Sequence, residues 1–378
     1  MTNIIEETRP LKVFLADIVS KDLKPEILED RMRELENLVQ TYGWVVVLKK
    51  IQRKDQPDYR TYIWKWKLEE IIAEMKRLDA NVLIIGNLMK PSQIYKVNEQ
   101  LREIKAEVRD RVDLILKIFD KHAEWMEARM QIELAAIKHM WPRIFNMWME
   151  LGRQWGGWEW AMRWSGETNT EIMKRHLKEK MLKIEKKLKE YEQMRKLHRE
   201  SRIKKGMPTV GIVGYTNTGK SSLLNVLTKK WILAENKLFA TLWTHVGNLY
   251  LMPKDNVWQG KEILLNDTIW FIRDLPPKLI KSFSSTLEDS IESDLLMHVI
   301  DASDPFVEER IAVVNKILKE IWANQPMIMV FNKLDLASDE VIENLKKKHN
   351  SEDTLRISVK DKKWLEELKS VLAEKVLS

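Results

Sequence analysis

The stretch TVGIVGYTNTGKSSLLNVL, residues 209–227, decides the fold of this chain. An apolar run is followed by GYTNTGKS, Gly214 to Ser221, and then by an amphipathic segment. The pattern G-x-x-x-x-G-K-[ST] between a strand and a helix is the context of a phosphate-binding loop. Its glycines let backbone N–H groups turn toward phosphates at the positive end of the following helix. The sequence therefore predicts an α/β P-loop NTPase domain.

The residues of this loop have distinct predicted roles in binding a nucleotide and its metal ion. Lys220 is expected to reach the β- and γ-phosphates, and the Ser221 hydroxyl is expected to bind Mg²⁺. Asp267, which ends the apolar run KEILLND, is predicted to hold the same ion through a water. The remaining phosphate contacts are assigned to the loop residues Gly214, Tyr215, Thr216, Asn217, Thr218, Gly219 and Ser222.

A second motif, NKLD from Asn332 to Asp335, indicates which base is bound. The Asp335 carboxylate can accept both the N1–H and the exocyclic amine of guanine, a pair that adenine does not offer. Asn332 is predicted to bond to N7 of the base, with the stem of Lys333 over the ring. The later stretch ISVK is a partial match to a supporting guanine loop, formed by Ser358, Val359 and Lys360. GTP and GDP are the predicted ligands.

The first nucleotide-sensing switch is predicted in LFATLWTHVG, residues 238–247. Its threonines carry hydroxyl groups that can coordinate Mg²⁺ beside the γ-phosphate. Thr241 is the expected ligand, and Thr244 is the alternative.

The second switch is predicted in NDTIWFIRDL, residues 266–275, and it departs from the usual pattern. Trp270 stands where such a loop normally has glycine. Phe271 stands where many GTPases have a glutamine that orients the attacking water. Because a phenyl ring cannot orient water, hydrolysis is expected to be slow alone and to depend on positioning by a partner.

Hydrophobic periodicity divides the chain into three predicted domains. Residues 1–110 alternate apolar runs and amphipathic segments, which predicts an N-terminal α/β domain with a parallel sheet. Residues 111–205 predict a basic, antiparallel helical hairpin with long helices at roughly Val112–Gln154 and Thr170–Lys205. Residues 206–378 return to an α/β pattern around the predicted phosphate loop and form the third domain. An apolar seam for packing is predicted along the second long helix, at Leu177, Met181, Ile184, Leu188 and Tyr191.

Composition limits the setting in which the protein works. There are no cysteines among 378 residues, which excludes disulfides and thiolate metal sites. No apolar run approaches the roughly 20 residues of a membrane span, and the acidic N-terminus does not resemble a signal peptide. A cytoplasmic monomer is expected.

Residues 174–205 hold 14 Lys/Arg against 5 Asp/Glu, whereas the whole chain has net charge +7. This basic rod favours an RNA partner, although a solvated helix face is the alternative.

At this point the sequence resembles the HflX GTPases, ribosome-associated members of the translation-factor class. The resemblance covers nearly the whole chain and rests on LMKPSQIYKVNEQL, DRVDLILKIFDKHA, ARMQIELA, the loop ending in SGET, and DTIWFIRDLP. It implies an N-terminal α/β domain with a helical hairpin, followed by a Ras-like G domain over residues 206–378. It also implies binding to the rRNA of the large ribosomal subunit and GTP-dependent separation of ribosomal subunits, with the ribosome stimulating hydrolysis.

Tryptophan is unusually frequent, with 16 residues, whereas the 12 glycines lie well below the usual ~7%. Several tryptophans stand where the family has glycine, namely Trp64, Trp66, Trp164, Trp270 and Trp364. The hypothesis is an altered, engineered or misread sequence, and a divergent natural member is the alternative. In GTPases the N–H of the residue at Trp270 contacts the γ-phosphate. Trp270 is therefore expected to spare GDP binding and weaken the closed GTP state.

Two other classes of function stay open at this stage. One is a nucleotide-binding RNA scaffold in which Trp270 has impaired hydrolysis. The other is an ATP-dependent enzyme built on the N-terminal domain, although residues 1–110 contain no phosphate loop.

Overall fold

The computed structural model describes residues 11–123, 125–139, 169–228, 245–252, 260–267, 271–276, 279, 292–351 and 353–377. The chain forms two compact units, Met1–Leu188 and Lys189–Ser378. Thr241 and Thr244 of the predicted first switch lie outside the described residues, as do Trp164 and Trp270.

A four-stranded parallel sheet forms the core of the N-terminal unit. Its order is β2-β1-β3-β4, with β1 at Lys12–Val19, β2 at Val45–Arg53, β3 at Val82–Ile85 and β4 at Glu107–Asp110. The connecting helices are α1 (Pro25–Tyr42), α2 (Lys65–Leu78) and α3 (Pro91–Leu101). All four residues of β3 are buried, as expected for a parallel strand covered on both faces. The parallel sheet is confirmed.

The helical region differs in one respect from its prediction. A single helix was predicted from Val112, but the structure has α4 at Arg111–His122 and a separate helix, α5, over residues 126–139. The chain leaves the helical conformation at Ala123, with φ −74° and ψ 106°. The Arg129 guanidinium donates to the Ala123 carbonyl at 2.9 Å, so the break leaves this carbonyl satisfied. The predicted continuation to residue 154 lies outside the described residues.

The apolar seam of the second long helix packs as predicted. This helix, α6, spans Asn169–Lys204, close to the predicted limits. Ile184 is buried against Leu134 and Ile137 of α5. The cluster is completed within the N-terminal unit by Met130, Leu177, Met181 and Leu188. The seam is therefore a packing surface rather than a ligand-binding stripe, and Tyr191 is not among the described members of the cluster.

The second unit contains a six-stranded sheet of order β10-β9-β8-β5-β7-β6. Its strands are β5 (Thr209–Val213), β6 (His245–Leu251), β7 (Lys261–Asp267), β8 (Leu295–Asp301), β9 (Met327–Asn332) and β10 (Thr354–Arg356). Only β6 runs antiparallel to its neighbour among these described strands. The helices are α7 (Lys220–Thr228), α8 (Val307–Glu320), α9 (Asp339–Lys348) and α10 (Leu365–Leu377).

This topology brings the predicted motifs to one edge of the sheet. The phosphate loop follows β5, Asp267 ends β7, and Asn332 ends β9. These strands are parallel, so their carboxyl ends lie together, where open α/β sheets bind ligands. None of the helices in the described part of the chain combines the length and apolar character needed to cross a bilayer.

Candidate nucleotide-binding site

Two positions of the phosphate loop require glycine because atoms of other strands lie very close to the loop backbone. Gly214 has φ 154°, and a Cβ there would lie 2.3 Å from the carbonyl oxygen of Val299 on β8. Gly219 has φ 91°, and a Cβ there would lie 2.5 Å from Asn332 Nδ2. Asn217 between them is left-handed, with φ 61°. The G-x-x-x-x-G spacing thus lets the loop pass close to β8, which is a neighbour of β5, and to the end of β9.

Lys220 is enclosed by the loop that it follows. Its side chain is buried, and Nζ donates to the carbonyls of Gly214 at 3.0 Å and Tyr215 at 2.5 Å. Burial lowers the pKa of Lys220 to about 7, the nearby Asp267 carboxylate opposes this shift, and the charge of Lys333 adds to it. A polyphosphate beside this amine would stabilise its protonated form.

The two predicted magnesium ligands of the described chain lie together. The Ser221 hydroxyl donates to Asp267 Oδ2 at 2.7 Å, and Asp267 is fully buried at the end of β7. A hydroxyl and a carboxylate are the oxygen donors that Mg²⁺ takes in phosphate sites. The residues present therefore fit this ion.

Asn332 connects the loop predicted to bind the base with the phosphate loop. Its Nδ2 donates to the Thr218 carbonyl at 2.9 Å, and its Oδ1 accepts from the Val359 N–H at 3.1 Å. The side chain is 2% exposed. The sequence assigned Asn332 to the base alone. The bridging role depends on three loops meeting, which spacing along the chain does not reveal.

The other predicted guanine-loop residues are held by one another. The Ser358 hydroxyl donates to Asp335 Oδ1 at 2.9 Å, and Lys360 Nζ lies 3.8 Å from Asp335 Oδ2. Lys333 is left-handed, with φ 64°, and its Nζ lies 2.6 Å from Asp301 Oδ2. These contacts fix the Asp335 carboxylate and the Lys333 stem that were predicted to define the base site.

Phe271 lies in the interior, against the phosphate loop. Its side chain is 1% exposed. Its N–H donates to the Gly214 carbonyl at 3.3 Å, and its carbonyl accepts from the Thr216 N–H at 3.1 Å. This short parallel bridge joins the second switch to the phosphate loop. That Phe271 does not orient the attacking water stays a prediction.

Two residues near the loop carried no sequence motif. His298 on β8 is 1% exposed, and burial lowers its pKa to about 3, with the Lys220 charge adding to the shift. Arg310 on α8 donates from Nη1 to the Tyr215 hydroxyl at 3.2 Å. Both line a small cavity beneath the phosphate loop, together with Asp301 and Asp304. They lie on elements distant in sequence, so only the fold brings them to the loop.

Family comparisons cover most of the chain. Residues 29–120 match the model described as GTP-binding GTPase N-terminal, and residues 122–202 match GTP-binding GTPase Middle Region. Residues 209–333 match the model described as 50S ribosome-binding GTPase.

Whole-chain relatives agree with these models. A GTPase HflX from Caldanaerobacter subterraneus subsp. tengcongensis is 40% identical over 82% of this chain and 70% of the relative. The chain belongs to the HflX family. A GTPase HflX from Escherichia coli is 36% identical over 82% of this chain and 71% of the relative, and one from Methanocaldococcus jannaschii is 34% identical over 85% and 76%.

A solved structure extends the likeness to the fold. The GDP complex of SsGBP is 27% identical, covers 97% of this chain and 99% of that chain, and has a TM-score of 0.50. This HflX-family chain is accordingly a GTP-binding GTPase with a P-loop G domain. The family resemblance inferred from the motifs is confirmed, as is the enzyme class.

Proposed function

We propose that this HflX-family GTPase binds the large ribosomal subunit in the cytoplasm, as a monomer, and uses GTP to separate ribosomal subunits. The proposal rests on the presence of two features in one chain. One is a candidate guanine-nucleotide site whose loops are bonded to each other, and the other is a strongly basic helix. Asn332 connects the two nucleotide loops, and α6 carries most of the excess positive charge. The match of residues 209–333 to a 50S ribosome-binding GTPase supports the choice of partner.

The chemistry of the site assigns a role to each group. Mg²⁺ held by Ser221 and Asp267 would neutralise charge that develops on the phosphates. Thr241 is the proposed third protein ligand. Lys220, buried at the base of the loop, binds the β- and γ-phosphates after its Nζ leaves the loop carbonyls. The Asp335 carboxylate, held by Ser358, selects guanine over adenine.

The RNA-binding surface is proposed on α6. Lys183, Lys186 and Lys187 are exposed on this helix within the N-terminal unit. Lysines that neutralise RNA phosphates release counterions, so binding of this kind weakens steeply as salt rises. The same helix packs through Ile184, and the three lysines stay exposed around that contact, available to a partner.

The test is sedimentation of intact ribosomes after mixing with the protein and a non-hydrolysable GTP analogue. The protein should shift ribosomes toward free subunits, and the triple change of Lys183, Lys186 and Lys187 to Glu should abolish the shift. The same change at Lys346, Lys347 and Lys348 of α9 is the matched control and should leave it intact. Equal loss in both triple variants, or no splitting by the unmodified protein, would contradict the proposal.

The alternative is an RNA-binding, nucleotide-binding scaffold with impaired hydrolysis. It is favoured by Trp270 at the glycine position of the second switch. Multiple-turnover GTP hydrolysis with and without ribosomes separates the two functions. Stimulation by ribosomes supports the splitting factor, whereas ribosome binding without stimulated turnover supports the scaffold.

A further inference from the structure

Tyr215 contacts more than the loop to which it belongs. It occupies the second position of the phosphate loop, and its side chain is 5% exposed. Its hydroxyl accepts the backbone N–H of Arg273 at 2.9 Å and Arg310 Nη1 at 3.2 Å. The Arg310 guanidinium carbon also lies 4.5 Å from the centre of the Tyr215 ring. One side chain thus connects the phosphate loop, the second switch and α8.

The same part of the second switch has a further tether to α8. Arg273 Nη2 lies 3.2 Å from Glu309 Oε2, and Arg310 Nε lies 3.1 Å from Asp304 Oδ2. Phe271 is fixed by its two backbone bonds to the phosphate loop. The segment is therefore held at alternate residues, by backbone bonds at 271 and by the Tyr215 hydroxyl at 273.

We propose that Tyr215 is a positioning residue for GTP hydrolysis, acting through its hydroxyl on the second switch. The residues that meet the γ-phosphate in the family pattern immediately precede Phe271. Residues 271 and 273, which are bonded to the phosphate loop, therefore lie beside the positions that are expected to meet the γ-phosphate. The anchor is a single hydrogen bond to a backbone N–H. Its net contribution is about 1 kcal/mol, which corresponds to a factor of about five in rate.

Tyr215→Phe tests this role because it removes the hydroxyl and keeps the ring beneath Arg310. In single-turnover GTP hydrolysis, kcat should fall about five-fold, whereas GDP affinity and KM for GTP should stay within about two-fold. Hydrogen exchange of the amides at 271–276 should accelerate. Glu309→Gln, which weakens the second tether, should change kcat in the same direction. Tyr250→Phe, on an exposed part of β6, is the matched control.

Two outcomes would overturn the assignment. An unchanged kcat with unchanged exchange at 271–276 would reduce Tyr215 to a packing residue. A loss of GDP affinity equal to the loss of kcat would make it a nucleotide ligand instead. Neither measurement involves ribosomes, so the result does not depend on the proposed ribosomal partner.

A separate observation concerns tryptophans in backbone conformations that favour glycine. Trp322 and Trp364 both have φ 60°, and they are 79% and 49% exposed. A bulky residue in the left-handed region costs on the order of 1–3 kcal/mol. Exposure means that neither ring offsets this cost by full burial of its large apolar surface. Five of the six tryptophans in the described part of the chain are exposed.

Trp322 occupies a position at which helices usually have glycine. The N–H groups of Trp322 and Ala323 donate back to carbonyls in the last turns of α8, at 3.2 and 3.0 Å. This pair of bonds is the Schellman motif, whose left-handed residue is usually glycine. Helix α1 ends with the same pair of bonds, and there the left-handed residue is Gly43, with φ 101°.

We infer that the natural chain has glycine at Trp322 and Trp364, and at other tryptophan positions such as Trp270. The tryptophans at these positions then correspond to a codon that the source organism reads as glycine. UGA has different meanings in different genetic codes, so one misassignment changes many positions in the same direction. This accounts together for the excess of tryptophan and the shortage of glycine. Trp44 differs, because it is buried and packs edge-on against Tyr42 with ring centroids 4.5 Å apart.

The test combines the gene sequence with peptide mass spectrometry of the protein from its natural source. UGA is expected at positions 270, 322 and 364, with glycine in the corresponding peptides. UGG and tryptophan are expected at position 44, which serves as the internal control. UGG codons at 322 and 364, or tryptophan masses in those peptides, would overturn the inference.

Discussion

Asn332 Nδ2 donates to the main-chain carbonyl of Thr218 at 2.9 Å, so the loop that follows β9 is bonded to the phosphate loop. The other end of the same amide accepts from the N–H of Val359. Three loops that are predicted to contact different parts of a nucleotide therefore share one buried side chain. The relationship explains why Gly219 is needed, because a Cβ there would lie 2.5 Å from this amide.

Asn332→Ala should weaken GDP and a non-hydrolysable GTP analogue equally. The substitution leaves a buried carbonyl and a buried N–H without this partner, a cost of about 2 kcal/mol or roughly 30-fold in affinity. GDP and the GTP analogue are both predicted to contact the loops that this substitution loosens. Calorimetry with Mg²⁺ measures both dissociation constants.

Asn248→Ala provides the control for this substitution. Asn248 lies on β6, where its Nδ2 donates to the exposed Glu262 at 2.6 Å. Nucleotide affinity should be unchanged in this variant. If Asn332→Ala lowered the thermal midpoint but kept both affinities, the bridge would be a stabilising contact without a role in binding.

Trp322→Gly and Trp364→Gly should each raise the free energy of unfolding by about 1 kcal/mol. Each substitution relieves a left-handed backbone conformation that tryptophan adopts with strain, although the greater freedom of the unfolded glycine offsets part of the gain. Urea denaturation of the single variants measures the change.

Trp66→Gly is the matched control, because Trp66 is also exposed but lies within α2. Glycine in a helix is unfavourable, so this variant should lose stability rather than gain it. If all three variants responded alike, the backbone conformation at 322 and 364 would not be the cause.

The sequence predicted the motif residues of the candidate site, but it did not predict the contacts between the elements that carry them. The spacing of Gly214, Gly219 and Lys220 predicts a phosphate loop because those residue types are imposed by backbone approach to phosphate. The apolar runs predict strands because parallel strands are buried on both faces. Tyr215 illustrates the limit. Its place in the motif was evident, but its bonds to Arg273 and Arg310 depend on packing between elements distant in sequence.

The helix break at Ala123 could not be predicted for a related reason. Residues 111–139 keep helical periodicity, and alanine is a strong helix former. The break is stabilised by the Arg129 guanidinium at the free carbonyl, a contact with no periodic signature. Helix propensity alone favours one continuous helix, but capping by the Arg129 side chain stabilises two separate helices.

His298→Leu should make stability less sensitive to acid. Burial lowers the pKa of His298 to about 3 from its ordinary value of 6.5, so between these values the unfolded chain binds more protons than the native chain. The contribution of His298 to the free energy of unfolding is therefore fully present above the ordinary value and is lost as pH falls. From about pH 6.5 to about pH 5, the unmodified protein should lose about 2 kcal/mol more than the variant.

Denaturant unfolding across this pH range checks the prediction. His298→Gln is a second variant that keeps a polar side chain but does not titrate, and it should show the same reduced slope. His198→Leu, at an exposed position of α6, is the control and should keep the slope of the unmodified protein. A slope unchanged in both His298 variants would show that other groups cause the acid sensitivity.

Trp270→Gly should tighten binding of a non-hydrolysable GTP analogue and leave GDP affinity unchanged. GDP is predicted to bind through the phosphate loop and the loop from Asn332 to Asp335, neither of which includes residue 270. The γ-phosphate is expected to add a contact with the backbone N–H of residue 270, and glycine reaches the backbone angles for such a contact more readily than tryptophan. Calorimetry with Mg²⁺ on both proteins compares the two nucleotides directly.

If Trp270→Gly tightens only the GTP analogue, the tryptophan blocks closure of a working second switch. If both affinities change by the same factor, Trp270 acts on the nucleotide site as a whole, and the proposed GTP-specific switch at this position is wrong.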